Sequence, residues 1–154
     1  MTVAAFTYTT TSTDKPGQED YEELAIVTAE VVDEMYGSFF DTLLDIDYGF
    51  IEVHRYIAVT PRLVDFRISS YFHRPSLIPS LAQVEDVATQ GFGTGAEFYD
   101  LYLARLQGMT SKVFSSTTSF RFINTQQGLK EAEEETGSDR QDSWWAENII
   151  KVVV

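Results

Sequence analysis

The stretch FIEVHRYIAVTPRLVDFRISSYF, residues 50–72, decides how the chain folds. On both sides of Pro61 apolar residues alternate with polar ones, the period of a half-buried strand. In the first run Ile51, Val53, Ile57 and Val59 share one face, with Arg55 the exception. In the second, Val64, Phe66, Ile68 and Phe72 do the same. VTPR, residues 59–62, joins the runs as a hairpin. A lone hairpin is marginal in water, so the flanking segments must cover its apolar face.

On the N-terminal side that cover is a helix. Tyr21, Leu24, Ala25, Val27, Thr28, Val31, Val32, Met35, Tyr36, Phe39 and Phe40 fall at helical spacing over several turns. TDKPGQED precedes it with breakers and acids, so that Asp20 or a neighbour caps it; Gly37 loosens its end and LLDIDYG stops it. Further back, VAAFTYTTTS (3–12) is rich in Thr, Phe and Tyr and reads as a strand.

On the C-terminal side Pro75 and Pro79 end the hairpin, and Ser80 or Ser76 caps a second helical region. It runs SLAQVEDVATQGF, breaks at Gly91 to Gly95 and resumes as AEFYDLYLARLQ, with Leu101 and Leu103 to Leu106 as its apolar spine. KVFSSTTSFRFI (112–123) then alternates, placing Phe114, Phe120 and Phe122 on one face with Ser116 and Thr118.

The order is β-α-β-β-α-β across residues 3–124, an α+β chain. A four-stranded antiparallel sheet with two helices on one face, the ferredoxin-like sandwich, is the expected architecture. Its rival is a helix on a curved sheet of the nuclear-transport-factor or cystatin type, which wants more strands after Ile123 than the sequence offers. Residues 1–127 form the expected domain, 128–143 an acidic spacer and 144–154 a Trp-Trp arm or extra strand.

EELAIVTAEVVDEMYGSFF (22–40), RLVDFRISSYF (62–72), PSLIPSLAQVEDVATQGFGTGAEFYDLYLARLQ (75–107) and FSSTTSFRF (114–122) carry a resemblance. They resemble the SEA-type modules of extracellular proteins, in particular uncharacterised modules in cell-surface proteins of diatom-like algae. The resemblance covers about residues 20–124. It implies a non-enzymatic interaction or structural domain at the cell surface or outside the cell. Many SEA modules cleave themselves at a Gly-Ser in the central hairpin; here that hairpin reads IAVTPRLVDF, with Pro61 in the turn, so self-cleavage is not expected.

Composition narrows the function classes. With 154 residues, 44% of them hydrophobic, the chain can bury about two-thirds of its unfolded surface as one domain. A net charge of -13 opposes nucleic-acid binding, which needs Lys and Arg against phosphate. Without cysteine there are no disulfides, thiolate metal sites or thiol nucleophiles. MTVAAFTYTTTST lacks a basic region followed by an apolar core, so no signal peptide is visible, and a secreted form would have lost one. No stretch reaches the roughly 18 apolar residues of a membrane span.

Four features invite chemistry. GFGTG, residues 91–95, interrupts a helix instead of joining a strand to one, and so reads as a break and not a phosphate loop. His54, Arg55, Asp65 and Arg67 can face one another across the hairpin as cross-strand charges; a His-carboxylate pair is also the minimum for acid-base work, but no nucleophile accompanies it. Asp41, Asp45 and Asp47 in DTLLDID lack calcium-loop spacing. KEAEEETGSDRQD, residues 130–142, reads as a solvated spacer. Catalytic, cofactor and metal sites are therefore expected to be none.

The chain ends SWWAENIIKVVV. Its apolar run reads as the domain's own last strand, as an arm exchanged with another copy, or as an approach to a membrane beyond Val154. Trp144, Trp145, Ile149, Ile150, Val152 and Val153 are the candidate partner-binding residues. The leading expectation is a non-catalytic extracellular or cell-surface module that binds a protein partner or itself. The alternative is a soluble, cytoplasmic small-ligand or regulatory domain with Tyr48, Tyr56 and Tyr71 lining a cavity.

Overall fold

The computed structural model describes residues 2–74, 78–123 and, as backbone, 149–153. Strand β1 (Thr2–Thr10) leads to helix α1 (Gln18–Tyr36), which widens into π-helical turns over Gly37–Leu43. Strands β2 (Tyr48–Thr60) and β3 (Leu63–Phe72) form the hairpin. Helices α2 (Leu81–Gly91) and α3 (Glu97–Gln107) follow, then a 3-10 turn at Phe114–Ser116, β4 (Thr117–Ile123) and β5 (Ile149–Val153). The sheet order is β4-β1-β3-β2-β5, with every neighbouring pair antiparallel. The fold is α+β.

Local chemistry sets the helix ends. The Asp20 carboxylate accepts from the Gly17 N–H at 2.7 Å, just before the first turn of α1. Ser80 Oγ accepts from Gln83 N–H at 3.2 Å while Gln83 Oε1 accepts from Ser80 N–H at 2.8 Å, a reciprocal capping box at the start of α2. Gly91 closes α2 where it meets α1: a Cβ there would collide with Met35. The break in GFGTG thus owes its first glycine to helix packing.

The hairpin departs from plain alternation. β2 spends 13 residues against the 10 of β3, and the three extra residues appear as three register shifts in β2. One lies at Gly49, where a Cβ would stand 2.8 Å from the Tyr71 carbonyl oxygen. Another places His54 and Arg55 together opposite Arg67. This bulge inverts the facing of everything after it. Ile51 and Val53 face the helices as expected, but beyond the bulge Tyr56 and Ala58 take that face. Ile57, opposite Asp65, and Val59, packed with Ala5, Leu63 and Ile123, belong to the far face. Arg55 stood out in the sequence because the alternation breaks at that residue.

One core fills the space between helices and sheet. Ala4, Phe6 and Tyr8 of β1, Val64, Phe66 and Ile68 of β3 and Phe120 of β4 meet α1, α2 and α3 there. Phe6 is its hub, with edge-on contacts to Phe66, Phe92, Tyr102 and Phe120. Each such ring contributes about 1.5–3 kcal/mol by burial alone. The spine of α3 is Phe98, Tyr102 and Leu106, four residues apart; of the expected leucine set Leu106 belongs to it, while Leu101 and Leu103 pack only partly. Phe114 is buried from the 3-10 turn, so the last strand starts later than the alternation suggests.

A chain of hydroxyls crosses this core. Thr28 donates to the Leu24 carbonyl at 2.7 Å, so it accepts from Tyr102 at 2.5 Å, and Tyr102 in turn accepts from Tyr8 at 2.6 Å. Every proton has an acceptor, which is what a buried polar chain requires. Burial raises both tyrosine pKa values well above normal, and both stay neutral.

Candidate functional site

The helices cover one face of the sheet; the candidate site lies on the other. There the β2 bulge and the β3 alternation bring together Glu52, His54 and Arg55 with Asp65, Arg67 and Ser69.

Of the expected quartet, His54 separates from the rest. Its Nδ1 lies 3.1 Å from Glu52 Oε1 and its Nε2 2.7 Å from Ser69 Oγ. Glu52 sits directly opposite Ser69, and His54 is two residues further along β2. An ionised carboxylate at Nδ1 holds the ring proton there. Nε2 is left with its lone pair to accept the Ser69 hydroxyl proton. The His54 side chain is 25% exposed and Glu52 12%.

Arg55, Asp65 and Arg67 form the second group. Arg55 and Arg67 are directly opposed, an unfavourable pairing for like charges, and Asp65 stands two residues before Arg67 on the same face. Burial lowers the Arg67 pKa, Asp65 pulls it up and Arg55 pushes it down. Asp65 is 1% exposed, so this is an embedded ionic cluster rather than a solvated rim.

Phe50 and Tyr71 stack at 4.8 Å beside the His54 group. The three tyrosines expected to line one cavity lie apart. Tyr48 is held by Asp33 in the α1 corner, Tyr56 stacks on Tyr21 at 5.7 Å, and Tyr71 is on the far face. A surface groove of about 610 Å3 exists instead between the α2–α3 turn and β4, where Phe92, Tyr99 and Phe120 line it.

The DTLLDID carboxylates are engaged separately: Asp41 accepts from the Tyr48 N–H at 2.8 Å and Asp47 lies 3.7 Å from Arg74. Among the described residues, no group of three His, Asp or Glu could hold a metal ion, and no helix is long and apolar enough to cross a membrane.

Of the candidate partner-binding residues, Ile149, Ile150, Val152 and Val153 lie in β5, whose backbone pairs with the β2 edge through Arg55↔Ile149, Val53↔Val152 and Glu52↔Val153. Trp144, Trp145 and the acidic spacer are outside the described residues.

The sequence reading missed Ser69. A hairpin extended straight from the Pro61–Arg62 turn sets Ser69 opposite His54, and that signal went unused. Compared with known proteins, the chain matches no family model, no curated protein and no solved structure.

Proposed function

We propose that the chain is a non-catalytic interaction module, extracellular or at the cell surface, that assembles through its C-terminal strand. The observation that carries this reading is β5. A short terminal strand completes the β2 edge, and residues 124–148 separate it from β4 at the opposite edge of the sheet. Such an edge strand can pair with the same edge of another copy, with the same backbone hydrogen bonds in either place, so concentration decides between the two. Trp144 and Trp145 are the side chains assigned to anchor the arm.

The order β4-β1-β3-β2, with helical connections after β1 and after β3, supports the ferredoxin-like reading of the four-stranded part and is compatible with a SEA-like module. The groove beside β4 favours a second reading, a small-ligand domain, in which Tyr99 and Phe120 would sandwich an aromatic ligand.

The test is the molar mass in solution of the full chain beside a version ending at Gly137, across concentrations. Assembly of the full chain with a folded, monomeric short form is the expected result. Two monomers at every concentration would refute the arm.

A further inference from the structure

We infer that Ser69 is an acyl-acceptor site, activated by His54 and aligned by Glu52, for an activated acyl donor of the aryl-ester or thioester class. The inference goes beyond the assembly proposed above and does not depend on it.

The geometry meets the two conditions for an activated hydroxyl. The nucleophile must touch its base, and a third group must fix the base in the right tautomer. Ser69 Oγ is 2.7 Å from Nε2, and Glu52 at 3.1 Å keeps the proton on Nδ1. The three residues sit on paired strands instead of loops, so backbone hydrogen bonding holds the alignment. The bulge brings two groups to Ser69: Glu52 stands directly opposite it, and His54, the extra residue of β2, reaches its hydroxyl. Arg67, two residues before Ser69 on the same face, brings positive charge to within about 7 Å along the strand.

In the step, the Ser69 oxygen attacks the carbonyl carbon of the donor while Nε2 takes the hydroxyl proton. The bond from that carbon to the leaving phenolate or thiolate breaks, and His54 returns the proton to the leaving group. Ser69 is left as an ester. One acyl transfer per chain is the expected outcome, with Ser69 left as the ester.

Incubating the full chain with p-nitrophenyl acetate tests this by intact mass and peptide mapping. One acetyl group on Ser69 is expected, absent from Ser69→Ala and formed about 100-fold more slowly in His54→Gln. Glu52 acts as a positioning residue, so Glu52→Ala should also abolish the hydrogen-bonded, downfield Nδ1–H proton resonance of His54 while far-ultraviolet circular dichroism stays unchanged. His54→Gln is the deciding variant if Ser69→Ala fails to fold. Acetyl groups spread over lysines and tyrosines with none on Ser69, or a Ser69 rate unchanged in His54→Gln, would overturn the site.

Discussion

β2 and β3 are neighbours in one sheet and partners in one hairpin, yet they keep their two faces apart in different ways. β3 alternates without interruption: Val64, Phe66 and Ile68 turn to the helices, while Asp65, Arg67 and Ser69 turn away. β2 reaches the same separation with three register shifts. The regular strand serves as the ruler and the irregular one carries the adjustable chemistry. His54 meets Ser69, and Arg55 meets Asp65 and Arg67, because β2 has residues to spare.

The sharpest way to break this comparison is to delete one residue from each strand. Removing Arg67 from β3 forces either Val64 and Phe66 or Ile68 and Phe72 onto the wrong face. The expected loss is about 5 kcal/mol or more, the scale of a domain's whole stability, read as absence of a cooperative melt. Removing Arg55 from β2 only straightens the bulge, with Val53 and Tyr56 still facing the helices. That deletion should fold and cost about 1–2 kcal/mol. Equal damage from both would end the distinction.

Single substitutions sharpen the contrast between faces. Phe66→Ala opens a cavity in the fully buried ring cluster and should cost about 3–5 kcal/mol in chemical denaturation. Tyr71→Ala, at a ring 42% exposed and stacked on Phe50, should cost below about 1 kcal/mol.

An effect smaller than that of Phe66→Ala probes the hydroxyl chain of the packed face. Tyr102→Phe leaves Tyr8 without its acceptor and Thr28 without its donor, for an expected loss of about 1–3 kcal/mol.

A pH-dependent effect lies at the rim of the packed face, where the Glu23 carboxylate of α1 ties down the loop after α3. It accepts from Thr110 N–H at 2.7 Å, Thr110 Oγ1 at 2.9 Å and Ser111 N–H at 2.8 Å. Desolvation raises its pKa, and these bonds together outweigh it, leaving the group below the usual 4.5. A depressed carboxylate pKa stabilises the fold above the unfolded value, and this share is lost as pH falls through the folded one. Glu23→Gln should therefore melt lower at neutral pH, by about 1 kcal/mol, and lose part of the acid sensitivity.

Much of this was legible in the sequence. The helix from Tyr21 announced itself by eleven positions at helical spacing, and the β3 alternation and the Pro61 turn needed no correction. The failures share a cause. Ile57 and Val59 were placed with Ile51 and Val53 because period-two reading assumes one residue per step, and a bulge leaves no mark in composition beyond the misplaced Arg55. Phe114 looked like a strand residue because a buried aromatic before a strand has the same parity as one inside it. On α3 the leucine reading found Leu106 but missed Phe98 and Tyr102, which share its four-residue spacing. The site suffered most: a straight register pairs His54 with Ser69, but Glu52 stands opposite Ser69 only once the shifts in β2 are known.

The most direct measurement on the central claim, that β2 bulges at His54 and Arg55, is a nuclear Overhauser spectrum of the full chain. The account predicts cross-peaks between the rings of Tyr56 and Tyr21, and none between the Ile57 methyl groups and α1. Ile57 methyl groups touching Leu24 or Ala25, with Tyr56 turned from Tyr21, would show β2 alternating straight through Arg55, and would contradict it.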